Sequence, residues 1–192
     1  MINIRHGMFE SNSSSCHSIC IPKHDNHNYD GQSIHFGLDS YGWEKEEYWD
    51  SATYLYSAIV DSFEAKDIES FLERLKNILD KHHIHYTFEP IELIKERDWG
   101  NYYKAYNKDT WSYGVDHGDE LRPMIEALLN DENLLMRYLF GDTIIYTGND
   151  NSCKGEDMCY CADKTIWDST RDNLIPNPNY QPDKYDYFFK GN

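Results

Sequence analysis

The sequence is short of positive charge. Against 34 aspartates and glutamates stand only 18 lysines and arginines, a formal net charge of −16. A surface of that sign repels phosphate unless its few cations are gathered on one face, so a broad nucleic-acid-binding surface is not expected. No apolar run approaches the ~20 residues that a membrane span needs. The opening MINIRHGMFE also lacks the basic, apolar and small-residue order of an export signal. The expectation is therefore no membrane partner and a cytoplasmic location in a host cell. With no export signal, the five cysteines, an odd number, read as reduced thiols. Glycine-rich phosphate loops, a G-x-S-x-G elbow and an H-E-x-x-H pair are all missing, which removes the commonest sequence signals for nucleotide binding, serine hydrolysis and zinc proteolysis.

What is present is enough to fold. Aromatic residues make up 15% of the chain, with 16 tyrosines and 5 tryptophans, and their large buried areas argue against disorder despite the charge. A length of 192 residues suits one domain, here read as 1–192 with an irregular, proline-containing segment at 152–183. Alternation of apolar residues predicts strands at 2–8 and 18–22, joined as a hairpin through the serine-rich turn 11–15. Short strands are expected at 33–36, 84–88, 143–147 and 185–189. Amphipathic spacing predicts helices at about 52–63, capped by Asp50 or Ser51, at 67–81, and at 121–129 and 134–139. The stretch 96–113 reads as mostly loop. The fold class is α+β, an antiparallel or mixed sheet with about four helices packed on it.

Chemistry concentrates near the N-terminus. Asn12 to His17 (N-S-S-S-C-H) puts three hydroxyls, a thiol and an imidazole into six residues, with Arg5 and Glu10 just before them. A hydroxyl or thiol becomes a useful nucleophile only with a base in reach, and imidazole titrates near neutrality. The plain alternative is a serine-rich turn that satisfies its own backbone, with His17 an ordinary strand residue. Asp116-His117 precedes a helix, where a carboxylate ordinarily caps. If His117 and Asp150 converge on His17, two imidazoles and a carboxylate could cleave a phosphodiester or hold a divalent metal. Cys153, Cys159 and Cys161 have a loose C-x5-C-x-C spacing that makes a structural zinc site only with a distant fourth ligand. His82, His83 and His85 read as solvated surface histidines.

The opening I-R-H-G-M-F-E-S-N-S-S-S-C-H-S-I resembles the start of a family of small, mostly uncharacterised proteins from phages and bacterial mobile elements, whose pattern runs R-x-G-x-F-E-T-N-S-S-S-x-H-S. Arg5, Gly7, Phe9, Glu10, Asn12, Ser13, Ser14, Ser15, His17 and Ser18 match, and Ser11 stands where the pattern has Thr. Weaker stretches follow at F-G-L-D-S-Y-G-W (36–43), V-D-H (115–117) and G-N-D-N (148–151). The resemblance implies a phage or mobile-element origin and a shared polar site.

Together these readings suggest an anti-defence accessory protein, of the anti-CRISPR kind, whose partner is a host defence protein or its guide RNA. They lean toward an enzyme, a nuclease or other phosphodiester or nucleotide hydrolase. His17, Ser14, His117 and Asp150 would be its catalytic residues, and Arg5, Glu10, Asn12, Ser13 and Ser15 would hold substrate. No motif requires a cofactor, although a divalent metal could join the histidines and carboxylate. The alternative is a non-catalytic acidic protein that inhibits a host nucleic-acid-binding enzyme by occupying its basic groove. With His17 at a partly exposed site and acting as a general acid or base, His17→Ala is expected to leave the thermal midpoint nearly unchanged while activity falls by roughly 10²-fold or more.

Overall fold

The run His17-Ser18-Ile19-Cys20-Ile21 does not alternate: all five side chains are buried. Burial on both faces marks an interior strand, and every one of these residue types is small, apolar or able to satisfy its own polar atoms. In the computed structural model, which describes residues 15–23, 28–42, 46–48, 50–62, 65–95, 103–106, 115–149, 164–168, 170–178 and 180–191, this run belongs to the first strand of an α+β fold. In chain order the described elements are β1 (Ser15–Pro22), β2 (Ser33–Phe36), β3 (Glu46–Tyr48), α1 (Ser51–Ser62), α2 (Ala65–Lys81), β4 (His85–Phe88), β5 (Glu92–Lys95) and β6 (Tyr103–Tyr106). A short 3-10 turn (Gly118–Leu121), α3 (Arg122–Asn130), α4 (Glu132–Phe140), β7 (Ile144–Asn149), β8 (Thr165–Asp168), β9 (Asn173–Pro176) and β10 (Tyr185–Gly191) complete the order.

Four strands form an antiparallel sheet in the order β10-β1-β7-β3. Both edges of β1 are taken, by β10 (Ile19 opposite Phe189) and by β7 (Ile19 opposite Ile145). The neighbours of β1 thus come from the C-terminal half of the chain. The hairpin partner expected at 2–8 lies outside the described residues. β2 and β4 form a parallel pair, Ser33 opposite His85 through Phe36 opposite Phe88, and two hairpins, β5-β6 and β8-β9, stand apart from the main sheet. The second hairpin corrects the reading of 152–183 as irregular, and β6 corrects part of the loop reading of 96–113.

The helix at 51–62 also differs from expectation. Its spacing predicts one buried face, yet every position from Ser51 to Val60 is buried. It is the central helix, and its polar residues serve backbone groups of the loops around it. Thr53 accepts from the Gly37 amide at 3.3 Å and Ser57 from the Asp39 amide at 3.0 Å. Loops carry backbone donors that must be satisfied somewhere, so hydroxyls on a buried helix are as useful there as leucines. Asp50 caps this helix, accepting from Thr53 N–H at 3.0 Å and from the Thr53 hydroxyl at 2.7 Å.

α2 is amphipathic as predicted. It buries Ile68, Phe71, Leu75, Ile78 and Leu79 and is tied to the later helices by Arg74 to Glu126 at 3.0 Å and Lys81 to Glu132 at 2.7 Å. Asp131 caps α4 by accepting from Leu134 N–H at 3.1 Å. From that helix Arg137 reaches back to the Pro22 carbonyl at 2.8 Å and to Asp186 at 2.6 Å. One arginine thereby joins α4 to the ends of β1 and β10.

Cys20 corrects another expectation. It is disulfide-bonded, with its partner sulfur outside the described side chains, and it is buried beside Tyr185 against Ile144, Tyr146 and Phe188. The reading of five free thiols fails there, and with it the thiol argument for a cytosolic setting. Sequence spacing cannot show which sulfur a fold will bring to a strand. Among the described residues no helix is long and apolar enough to cross a membrane.

Candidate functional site

β1 carries His17 into the interior rather than presenting it. The ring is 0% exposed, with Tyr54 of α1 at 2.7 Å from Nδ1 and the Asp116 carbonyl at 2.6 Å from Nε2. A carbonyl can only accept, so Nε2 carries the proton. In the neutral ring Nδ1 is then an acceptor and the Tyr54 hydroxyl donates to it. Burial holds the His17 pKa below the ordinary 6.5. The Asp116 carbonyl and the Asp116 charge oppose that shift, and nearby His117 adds to it. His17 is therefore a neutral imidazole with one fixed tautomer and both nitrogens occupied.

Around it the fold gathers segments that are far apart in sequence. Tyr54 packs edge-on against Tyr41, ring centroids 4.9 Å apart, and Tyr41 forms a parallel bridge with Val115. The Asp116 amide donates to the Tyr41 carbonyl at 2.9 Å, and the Val115 amide donates to Asp61, at the end of α1, at 3.0 Å. On the other side, β7 sets Thr147 opposite His17, Gly148 opposite Cys16 and Asn149 opposite Ser15. The 115–117 turn and the Gly148-Asn149 end of β7 thus lie at the same end of the sheet as His17, with Tyr41 beside them. His17 meets the Asp116 carbonyl directly and reaches Tyr41 through Tyr54, while Gly148 lies opposite the adjacent Cys16.

Among the expected site residues, His17 and the Asp116-His117 turn are brought together. His117 is half-buried and has a left-handed backbone, φ 56°, uncommon for a residue with a side chain. Ser15 lies on β1 as a backbone position. Arg5, Glu10, Asn12, Ser13, Ser14 and Asp150 lie outside the described residues, as do Cys153, Cys159 and Cys161. Tyr54 and Tyr41 are the residues that sequence reasoning missed. No spacing signal marks them, because each looks like one more aromatic in a chain full of them. Among the described residues no group of three or more His, Cys, Asp or Glu side chains is placed to hold a metal ion.

His82 and His83 are each paired with a carboxylate. His82 lies 3.3 Å from Glu132 and His83 2.8 Å from Asp30, beside a hollow of about 430 Å³ lined by Asn28, Tyr29, Lys81 and Met136 among others. Glu132 also holds Lys81 through both of its oxygens, so the cations at this helix end already have carboxylate partners. His83 takes the left-handed position, φ 52°, just past the end of α2, where a basic residue also complements the helix dipole.

Compared with known proteins, the chain matches no family model, no curated protein and no solved structure.

Proposed function

We propose that this chain is a non-catalytic acidic binding protein, an anti-defence accessory carried by a phage or mobile element. In this reading it occupies the basic groove of a host nucleic-acid-binding enzyme. The observation that carries it is the state of His17, fully buried with both nitrogens hydrogen-bonded inside the protein. A general acid or base must reach the proton that it moves, and a ring so enclosed serves to join segments instead. The net charge of −16 supports the same reading, since such a surface resembles the phosphate backbone that a basic groove binds. The phage and anti-defence part rests on the N-terminal resemblance.

A specific observation favours a second reading. His117 is half-buried, strained in its backbone and on the turn that His17 holds, and strained residues cluster at working sites. Here His117 would move the proton in cleavage of RNA or a nucleotide, with His17 positioning its turn.

The two separate in one experiment, with a guide-RNA-loaded CRISPR effector nuclease as the target and wild type compared with His117→Ala. The binding reading expects inhibition at a one-to-one ratio, weaker at high salt, with intact guide RNA and the same potency for both proteins. Substoichiometric inhibition with cut RNA, lost by ~10²-fold or more in His117→Ala, would overturn it in favour of the hydrolase.

A further inference from the structure

We infer that the disulfide on Cys20 runs to the C-Y-C pair of Cys159 and Cys161, and so fastens the chain that follows β7 back onto β1. The sequence has five cysteines, at 16, 20, 153, 159 and 161, and Cys20 is bonded to one of the other four. The geometry of β1 and β7 decides among them.

Cys16 is excluded by its place on the same strand. β1 pairs with β7 without a register shift from Cys16, opposite Gly148, to Cys20, opposite Ile144. Four steps of uninterrupted strand hold the two α-carbons about 13 Å apart. A disulfide joins residues whose α-carbons are no more than about 7 Å apart.

The three cysteines that remain all follow β7. That strand ends at Asn149, opposite Ser15, and it is heading away from Cys20 when it ends. Returning to the level of Cys20 takes five residue steps of β1, about 17 Å. Cys153 is only four residues past Asn149. If a reversal uses two of the four, the other two reach about 7 Å, and the bond itself adds no more than about 7 Å, which falls short. Cys159 and Cys161 are ten and twelve residues past Asn149, enough for both the reversal and the return.

The end of the bond on β1 is a packed one. Cys20 is buried with Tyr185 against Ile144, Tyr146 and Phe188. Its neighbours Ile19 and Ile21 belong to the main core, so by strand alternation Cys20 points to the other face of the sheet. The bond thus reaches that second face and closes a loop of roughly 140 residues, long enough to restrict the unfolded chain strongly. It also takes one sulfur from the three considered for zinc, so Cys153, Cys159 and Cys161 cannot all be thiolate ligands while it is intact.

Peptide mapping tests the assignment. Free thiols of the native protein are blocked with N-ethylmaleimide, and the chain is then denatured and cut with trypsin without reductant. Cleavage after Arg5, Lys23, Arg137, Lys154 and Lys164 puts Cys16 and Cys20 in peptide 6–23, Cys153 in 138–154, and Cys159 with Cys161 in 155–164. Mass spectrometry is expected to find 6–23 joined to 155–164 in the wild type and in Cys16→Ser, where only Cys20 can carry the link, and to find the two apart after reduction. A bond closed within 6–23 of the wild type, a link from 6–23 to 138–154 in Cys16→Ser, or Cys20 recovered as a blocked thiol overturns the assignment. If Cys16→Ser does not fold, fragmentation of the wild-type cross-linked peptide between residues 16 and 20 locates the bond. A pattern that leaves Cys20 free, or takes it to Cys153, then refutes the proposal.

Discussion

Replacing His17 with alanine is expected to destabilise the protein by about 2–4 kcal/mol, the range for losing a large buried side chain together with its hydrogen bonds. For a chain of this size that is a fall of roughly 5–15 °C in thermal midpoint. The loss has two sources. A cavity opens between β1 and α1, and two buried polar groups, the Tyr54 hydroxyl and the Asp116 carbonyl, lose their shared partner. Tyr54→Phe removes one hydrogen bond and leaves Nδ1 without a donor, which should cost about 1–2 kcal/mol. Thermal denaturation of both variants checks the order, and a His17→Ala protein as stable as wild type would mean that the ring is not where the fold puts it. A partly exposed, catalytic His17 predicts the opposite, a stable variant without activity. Any activity lost in His17→Ala must therefore be corrected for unfolded protein before a chemical role is assigned.

Reducing the Cys20 disulfide is expected to cost about 2–4 kcal/mol, the usual contribution of a bond that restricts the unfolded chain. Cys20 is 0% exposed, so the bond should resist mild reductant in the folded protein and yield once denaturant admits the reagent. The mass of the native protein under non-reducing conditions should be lower than that of the reduced chain by the two hydrogens lost per disulfide. Five free thiols in that measurement, with a thermal midpoint that reductant does not move, would contradict the structure. The structural zinc considered for Cys153, Cys159 and Cys161 competes for the same small set of thiols, since a sulfur in a disulfide is a poor metal ligand.

The elements that could be read from the sequence are those set by local periodicity. α2 repeats its apolar residues at helical spacing over four turns, and Ile84, Tyr86 and Phe88 alternate around β4; both are where the pattern predicts. β1 was legible as a strand but not as an interior one, because its pairing with 185–191 joins opposite ends of the chain and no local pattern encodes that. The run His17 to Ile21 did hold a clue, since Ser18 and Cys20 are small enough to bury on the second face. α1 was misread as one-sided because Ser51, Thr53 and Ser57 look solvent-seeking, when Thr53 and Ser57 instead answer the loop amides of Gly37 and Asp39 and Ser51 donates to the Leu139 carbonyl of α4. For the site, sequence singled out His17 and the Asp116-His117 pair, and the fold does bring them together. Their relation could not be read, because whether an imidazole faces solvent or a tyrosine hydroxyl depends on packing contacts between residues 17, 54 and 116.

Stability and function both depend on the state of one ring, and nitrogen NMR of the His17 imidazole measures it directly. The structure predicts a proton on Nε2, a hydrogen-bonded acceptor at Nδ1, and no change in either signal as the pH is lowered from about 8 to 6.5, above which an unperturbed histidine is mostly neutral. Below that, its titration should fall short of the ordinary histidine value of 6.5. A His17 ring with averaged tautomers, titrating at or above that value, would contradict the account and return His17 to the list of groups free to move a proton.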